Sequence, residues 1–211
     1  MTDTGSHLSG RRAEAARNDE RILEAARDVF IANPEAPIAA VAERAGVGIS
    51  ALYRRYESKE DLLRRLCADG LARYIAAVEA ALADSGDPWE AFAGFMRRAV
   101  DAETNALTLR LAGTFRPTEE LTAEAERAQR LNDRLFRRTK AAGALRPDLH
   151  VNDVALMLEQ LASIKLGDPE RTRQLRHRYL ALALEALHAP SETRLPGPPP
   201  SWQELSGRWT P

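Results

Sequence analysis

The sequence predicts an all-α protein, with an N-terminal three-helix helix-turn-helix domain followed by a C-terminal helical bundle domain, about nine helices in all. Three observations predict it. Ala, Leu, Glu and Arg dominate the chain, and these are strong helix formers. No stretch alternates β-branched and polar residues in the manner of a half-buried strand. Apolar residues instead recur at spacings of three and four, between proline and glycine breaks.

In chain order, residues 1–10 are polar and contain Gly and Ser, and Arg11, Arg12 and Arg17 introduce a first helix that runs to about Ala32. Its apolar face is Ile22, Ala25, Ala26, Val29 and Phe30. Asn33 and Pro34 stop it, because proline has no N–H and disfavours helical geometry in the residue before it. A compact second helix starts near Pro37, and a third follows the Ala45-Gly46-Val47 break. Ser58 begins the next long helix in an S-x-x-D capping box completed by Asp61, and the stripe Leu62, Leu63, Leu66, Leu71, Ile75 and Val78 carries it to about Leu82. Asp84-Ser85-Gly86-Asp87 is a loop, and Pro88 sits at the first position of the next helix, where its missing donor costs nothing. Further helices are expected at about 88–102, 104–113, 118–142, 152–166 and 169–188, with Pro117, Gly143, Pro147 and Gly167 as breaks. The tail from Ala189 holds six of the twelve prolines and cannot continue the last helix. Within it, Ser201-Trp202-Gln203-Glu204 is another capping box, and Trp202, Leu205 and Trp209 share the face expected to pack on the body. The predicted domains are 1–66, 67–188 and the Pro-rich tail 189–211.

Bulk composition bounds the function more loosely. A hydrophobic content of 44% supports a real core, and the formal net charge of −1 supplies no overall basic field, so any nucleic-acid argument rests on local placement. The single cysteine, Cys67, cannot form an internal disulfide and reads as a small buried hydrophobe. No run of about 18 apolar residues exists, and residues 1–10 lack a signal-peptide core, so the expectation is a cytoplasmic protein with no membrane partner. There is no Gly-rich phosphate loop, G-x-S-x-G or H-E-x-x-H, which argues against an enzyme. His7, His150, His177 and His188 are scattered with no pair at ligand spacing, so neither a metal nor a cofactor is expected.

Residues 38–56 carry the inference. Ile38, Val41 and Ala42 face inward on the first short helix, and Gly46 can adopt the positive φ that a tight interhelical turn needs. Val47 and Leu52 fill the angle between the two helices, which leaves Ile49, Ser50, Tyr53 and Arg54 near the outer face of the second, the arrangement that presents side chains to base edges in a major groove. Between residues 44 and 65, Arg44, Arg54, Arg55, Lys59, Arg64 and Arg65 outnumber Glu57, Glu60 and Asp61 by six to three. Lys59, in the first turn of the next helix, can meet phosphate, and Arg11, Arg12 and Arg17 can reach phosphate or the minor groove from a flexible arm. Arg64 and Arg65 read instead as a solvated helix face.

The sequence resembles the TetR family of bacterial repressors through four blocks in one order: Arg21-Ile22-Leu23-Glu24-Ala25-Ala26, Val41-Ala42-Glu43-Arg44-Ala45-Gly46-Val47, Leu52-Tyr53-Arg54-Arg55-Tyr56 and Ser58-Lys59-Glu60-Asp61-Leu62-Leu63. The resemblance covers roughly residues 17–66. It implies a homodimer that binds a palindromic double-stranded DNA operator, is released by a small-molecule effector, and carries effector-binding and dimerisation functions in the C-terminal domain. By position, Tyr53 and Arg55 look like the family's aromatic and basic backbone contacts, and Lys59 like its phosphate-binding lysine. Arg55 stands where the family usually has histidine, and Gly48-Ile49-Ser50-Ala51 lacks the usual capping hydroxyl and lysine, so operator preference does not carry over.

For the effector pocket the expected lining is Trp89, Phe92, Met96, Leu107, Leu111, Phe115, Leu131, Met157 and Leu161, with Phe95, Phe136 and Leu158 also bulky enough to serve. For the dimer interface it is Val154, Leu158, Leu175, Tyr179, Leu182, Ala183 and Ala186, where two helices from each subunit can form a four-helix contact. The competing reading is a helical adaptor or protein-binding module without DNA affinity.

Overall fold

The computed structural model describes residues 4–102, 107, 111, 113–188 and 193–207, with side chains from residue 17 onward. Among these residues the secondary structure is helical, and the only β feature is an isolated antiparallel bridge between Leu145 and His188. By internal contacts the chain divides into two compact units, Met1–Leu66 and Cys67–Pro211.

The first unit is built on α1 (Thr4–Ala32), α2 (Ile38–Ala45), α3 (Ile49–Arg55) and the start of α4 (Lys59–Ala83). Helix α1 packs on α2, and α2 on α3. Ile22, Ala26 and Phe30 of α1, Val41 and Ala42 of α2, and Leu52 of α3 are buried together in this unit, as their three- and four-residue spacing requires. Helix α1 begins at Thr4 and so takes in the segment expected to be a flexible arm. Its Ala13-Glu14-Ala15-Ala16 run favours helix strongly enough to offset Gly5 and Gly10, glycine costing about 1 kcal/mol relative to alanine in a helix interior. Arg11, Arg12 and Arg17 therefore ride on a helix; Arg17 is exposed, and the side chains of Arg11 and Arg12 lie outside those described.

The second unit contains the rest of α4, then α5 (Pro88–Asp101), α6 (Glu119–Ala141), α7 (Val151–Ser163), α8 (Pro169–Leu187) and the short α9 (Trp202–Ser206). Side chains close most N-termini in this unit: Asp87, Thr118, Asp168 and Ser201 each accept a backbone N–H from the first turn, and His150 does so for α7. Helix α7 stops at Ser163, short of the expected end, because Ile164 turns to extended backbone. The buried Arg176 of α8 then donates to the carbonyls of Ala162 and Ile164, at 3.1 and 3.2 Å, in place of continued helix bonds. Of the helix expected at 104–113, Leu107 and Leu111 are helical and buried, and most of the remainder lies outside the described residues. Helix α5 packs against α6, α7 and α8 to close one core, with Phe92, Met96, Leu135, Leu158 and Leu180 among its most buried members. No described helix is long and apolar enough to cross a membrane.

Candidate nucleic-acid interface and ligand cavity

The turn between α2 and α3 is set by Gly46, which sits at φ 65° and ψ 37° in the left-handed region. Its N–H donates to Glu43 O and that of Val47 to Ala42 O, at 3.1 and 3.0 Å, the paired bonds of a Schellman ending. Arg21 of α1 donates to Ala45 O at 2.8 Å and so ties this turn to the first helix. Gly48 then starts α3 with no side-chain cap, as expected from the missing hydroxyl.

With Leu52 buried on one side of α3, the opposite side is bare. Ile49 is 40% and Tyr53 50% exposed, and Ser50 and Arg54 are exposed beside them. Positions 49, 50, 53 and 54 form one face of a helix, so four side chains of differing chemistry point the same way. Arg54 makes no hydrogen bond or ion pair among the described residues, which leaves its guanidinium available to a phosphate or base edge.

Four nearby cations, Arg55, Lys59, Arg44 and Arg64, are already engaged. Arg55 donates through Nε to Asp19 Oδ1 of α1 at 2.6 Å, and the buried Tyr56 hydroxyl donates to the same oxygen at 2.5 Å. The hydrogen bond from Arg55 holds the Asp19 carboxyl below its ordinary range. Burial, then the Asp19 bond, pushes the Tyr56 hydroxyl well up, so it stays protonated and donating. A guanidinium has five N–H groups, so Arg55 keeps donors for a phosphate while its orientation is held by α1. Lys59 does not project freely: its ammonium donates to Pro34 O at 2.8 Å and lies 5.3 Å from the Phe30 ring centre. Arg64 pairs with Glu60 at 2.6 Å, and Arg44 with Asp28 at 2.7 Å; Asp28 lies outside the counted stretch, so it lowers the local positive excess that the sequence count suggests. Sequence reasoning gave no role to Asp19 or, beyond its place in a matching block, to Arg21, since nothing in a linear pattern shows which residue of α1 meets the turn or the third helix.

The second unit encloses a cavity of about 850 Å³. Its apolar wall includes Leu71, Phe92, Phe95, Leu107, Phe136 and Leu158, and its polar side includes Tyr74, Gln129 and Asn132. Asn132 Nδ2 donates to Tyr74 Oη at 2.7 Å, and burial pushes the Tyr74 hydroxyl and the Cys67 thiol each up to about 12, so both stay neutral. Of the expected lining, Phe92 and Leu107 are on the wall, as are Phe95, Phe136 and Leu158. Trp89, Met96, Leu111, Phe115, Leu131, Met157 and Leu161 are not; bulky residues at helical spacing here fill core rather than line space. The tail contributes Trp202, Leu205 and Ser206, with Leu205 buried and Trp202 41% exposed; Trp209 lies outside the described residues.

Helix α8 has a bare apolar face of its own. Tyr179 is 51% and Leu182 60% exposed, Ala186 is exposed, and Leu175 and Ala183 are half-buried. Val154 and Leu158, expected in the same interface, are buried within the chain and line the cavity instead, because the inner face of α7 packs against α5 and α6. Among the described residues no group of three His, Cys, Asp or Glu is placed to hold a metal. His150 caps α7, His177 pairs with Asp101 at 2.6 Å, and His188 stacks edge-on against Trp89.

A glycine-turned helix pair with an outward second helix, in a chain whose second unit is a helical body with a cavity, defines the class of helix-turn-helix DNA-binding transcriptional regulators. Residues 22–66 match the model for bacterial regulatory proteins of the tetR family, and residues 87–189 match the SbtR-like transcriptional regulator C-terminal domain. The chain belongs to the TetR family of transcriptional regulators. Among solved structures it is similar to the TetR regulator SCO0520 of Streptomyces coelicolor, at 27% identity and a TM-score of 0.58, over 82% of this chain and 99% of that one. A TetR regulatory protein of Mycobacterium vanbaalenii is 28% identical with a TM-score of 0.58, over 84% and 99%. LfrR of Mycobacterium smegmatis, solved in complex with proflavine, shares the fold at 22% identity and a TM-score of 0.57, over 78% and 95%. No curated protein matches the chain.

Proposed function

We propose that this regulator is a repressor that binds a palindromic operator as a homodimer and leaves it when a small molecule occupies the cavity. The observation that carries the effector reading is the cavity of about 850 Å³ in the second unit, within the roughly 300–1,000 Å³ of drug-sized sites. LfrR with proflavine is a precedent in this fold for a small-molecule occupant. The bare face of α8, centred on Tyr179 and Leu182, supports pairing of two copies, since an exposed apolar row on one helix is costly in a lone monomer. A two-fold dimer offers two copies of α3 to half-sites about 34 Å apart on one side of the duplex.

In this reading Ile49, Ser50, Tyr53 and Arg54 enter the major groove, with Ile49 suited to a thymine methyl. Arg55, and Lys59 through its remaining N–H groups, meet the backbone; Arg17, and Arg11 and Arg12 on the same helix, approach it from α1. An effector that favours a different separation of the two reading helices weakens DNA binding by its differential affinity, typically about 1–3 kcal/mol. Such a protein acts in the cytoplasm, with the DNA. Selection of bound DNA from a random pool tests the proposal. An inverted repeat with half-sites one turn apart is the expected product; a single asymmetric site would remove the homodimer, and no enrichment would remove DNA binding by this surface.

A further inference from the structure

After α8, residues 193–207 are folded onto the second unit rather than trailing from it. Its first attachment is the loop between α6 and α7, where Arg146 pairs with Asp148 at 2.7 Å and donates to Thr193 O, while Asp148 accepts the Leu195 N–H at 2.7 Å. The second is Asn152, buried on α7, which donates through Nδ2 to Pro200 O at 2.7 Å. Between these points the Pro198-Pro199-Pro200 run restricts the backbone to extended geometry, so little freedom is lost in holding it. Ser201 and Glu204 then cap each other reciprocally and start α9 at a defined place. The outcome is that Leu205 is buried and Trp202 stands on the cavity wall. All of this lies beyond residue 189, where the match to the family's C-terminal domain ends.

The charges around the cavity indicate what fits there. Arg116, Glu126 and Glu159 are the ionisable side chains on the wall besides Tyr74 and Cys67. Glu126 pairs with Arg130 at 3.7 Å, and Arg116 and Glu159 have interactions of their own. Because an ionic ligand entering a largely apolar space needs a counter-charge to offset its lost hydration, this wall favours a neutral one. Phe92, Phe95, Phe136 and Trp202 supply aromatic faces and edges.

We infer that Trp202 and Leu205 are ligand-contacting, specificity-determining residues of the effector cavity, and that its ligand is an uncharged, aromatic-bearing molecule. The inference rests on the effector reading proposed above. Its mechanism is complementarity: the tail adds Trp202 and Leu205 to the wall built by α4 to α7, and the ligand packs between Trp202 and the phenylalanines.

The test uses the full-length protein with Nile red, a neutral aromatic dye whose fluorescence rises on leaving water. Competitors are dodecanoate and dodecyltrimethylammonium, and the variants are Trp202→Ala, Trp202→Phe and the cavity-filling Ala155→Phe, each checked for an unchanged melting temperature. The expected results are one saturable dye site, lost in Ala155→Phe, roughly tenfold weaker in Trp202→Ala and restored in Trp202→Phe, with neither charged amphiphile displacing the dye at equal concentration. Dye binding that is blocked by Ala155→Phe but indifferent to Trp202→Ala overturns the role of the tail while the effector cavity stands. Displacement by either charged competitor, or no dye binding at all, overturns the ligand class. Saturable binding untouched by Ala155→Phe places the dye elsewhere and overturns the effector reading itself.

Discussion

Arg54, Arg55 and Lys59 look equivalent as charges in the sequence, yet each has a different freedom. Arg54 is unengaged among the described residues, Arg55 is oriented by Asp19, and Lys59 is bound to Pro34 O. Arg54→Ala is therefore expected to weaken DNA binding by about 1–3 kcal/mol with no loss of stability and to relax discrimination at one base position, read from affinities for a series of single-base operator variants. Lys59→Ala is expected to weaken DNA binding and also to cost about 1 kcal/mol of stability in a urea melt, since the loop carbonyl loses a charged donor. An unchanged melt for Lys59→Ala would show that the Pro34 bond contributes nothing. Asp19 and Asp148 are among the carboxyls that respond to acid. Hydrogen bonding from Arg55 lowers Asp19, and that from Arg146, then Leu195 N–H, lowers Asp148 from 3.8 to about 2. A group depressed in the folded state binds its proton more readily when unfolded, so its stabilisation is present above about pH 4 and lost as pH falls toward the folded value. Asp148→Asn is expected to flatten the fall of stability between about pH 4 and 2, and to expose the tail to proteolysis at neutral pH.

At the scale of elements, the helix-turn-helix depends on one backbone conformation. Gly46 at φ 65° ends α2 and turns the chain toward α3, and an added Cβ would stand 3.5 Å from Arg21 Nη2, an ordinary contact. The cost of Gly46→Ala is thus conformational rather than steric, about 1–2 kcal/mol in a thermal or urea melt. DNA affinity should fall with it if the left-handed turn is what aims α3. Gly48 is different: its φ of −66° is open to any residue and nothing lies within 4 Å of an added Cβ. Gly48→Ser should restore the missing cap and gain a few tenths of a kcal/mol. These short helices were legible because their signals are local: a glycine, an inward apolar triad and an outward polar face within about twenty residues. The Ser201 cap is legible for the same reason, being made within a single turn, and the structure adds caps at Asp87, Thr118 and Asp168.

For the whole molecule, the proposed dimer predicts the effect of charge on α8. Leu182→Glu, 60% exposed in the single chain, should leave the fold and its melting temperature intact while halving the mass measured by light scattering at micromolar concentration. Wild-type protein with monomer mass would remove that interface. Residue order alone gives the helical class, the two-helix motif with its outward face, and the caps begun by Ser58 and Ser201, because each follows from spacing along one helix or one turn. Tertiary packing sets the rest: Val154 and Leu158 point inward, seven of the expected pocket residues pack in or against the core and off the cavity wall, Arg21 braces the α2–α3 turn and Asp19 the end of α3, and the tail returns to the cavity. Periodicity shows which residues share a face but not what that face meets. The partner is chosen by packing between segments far apart in the chain, and that choice leaves no mark on the pattern of either one.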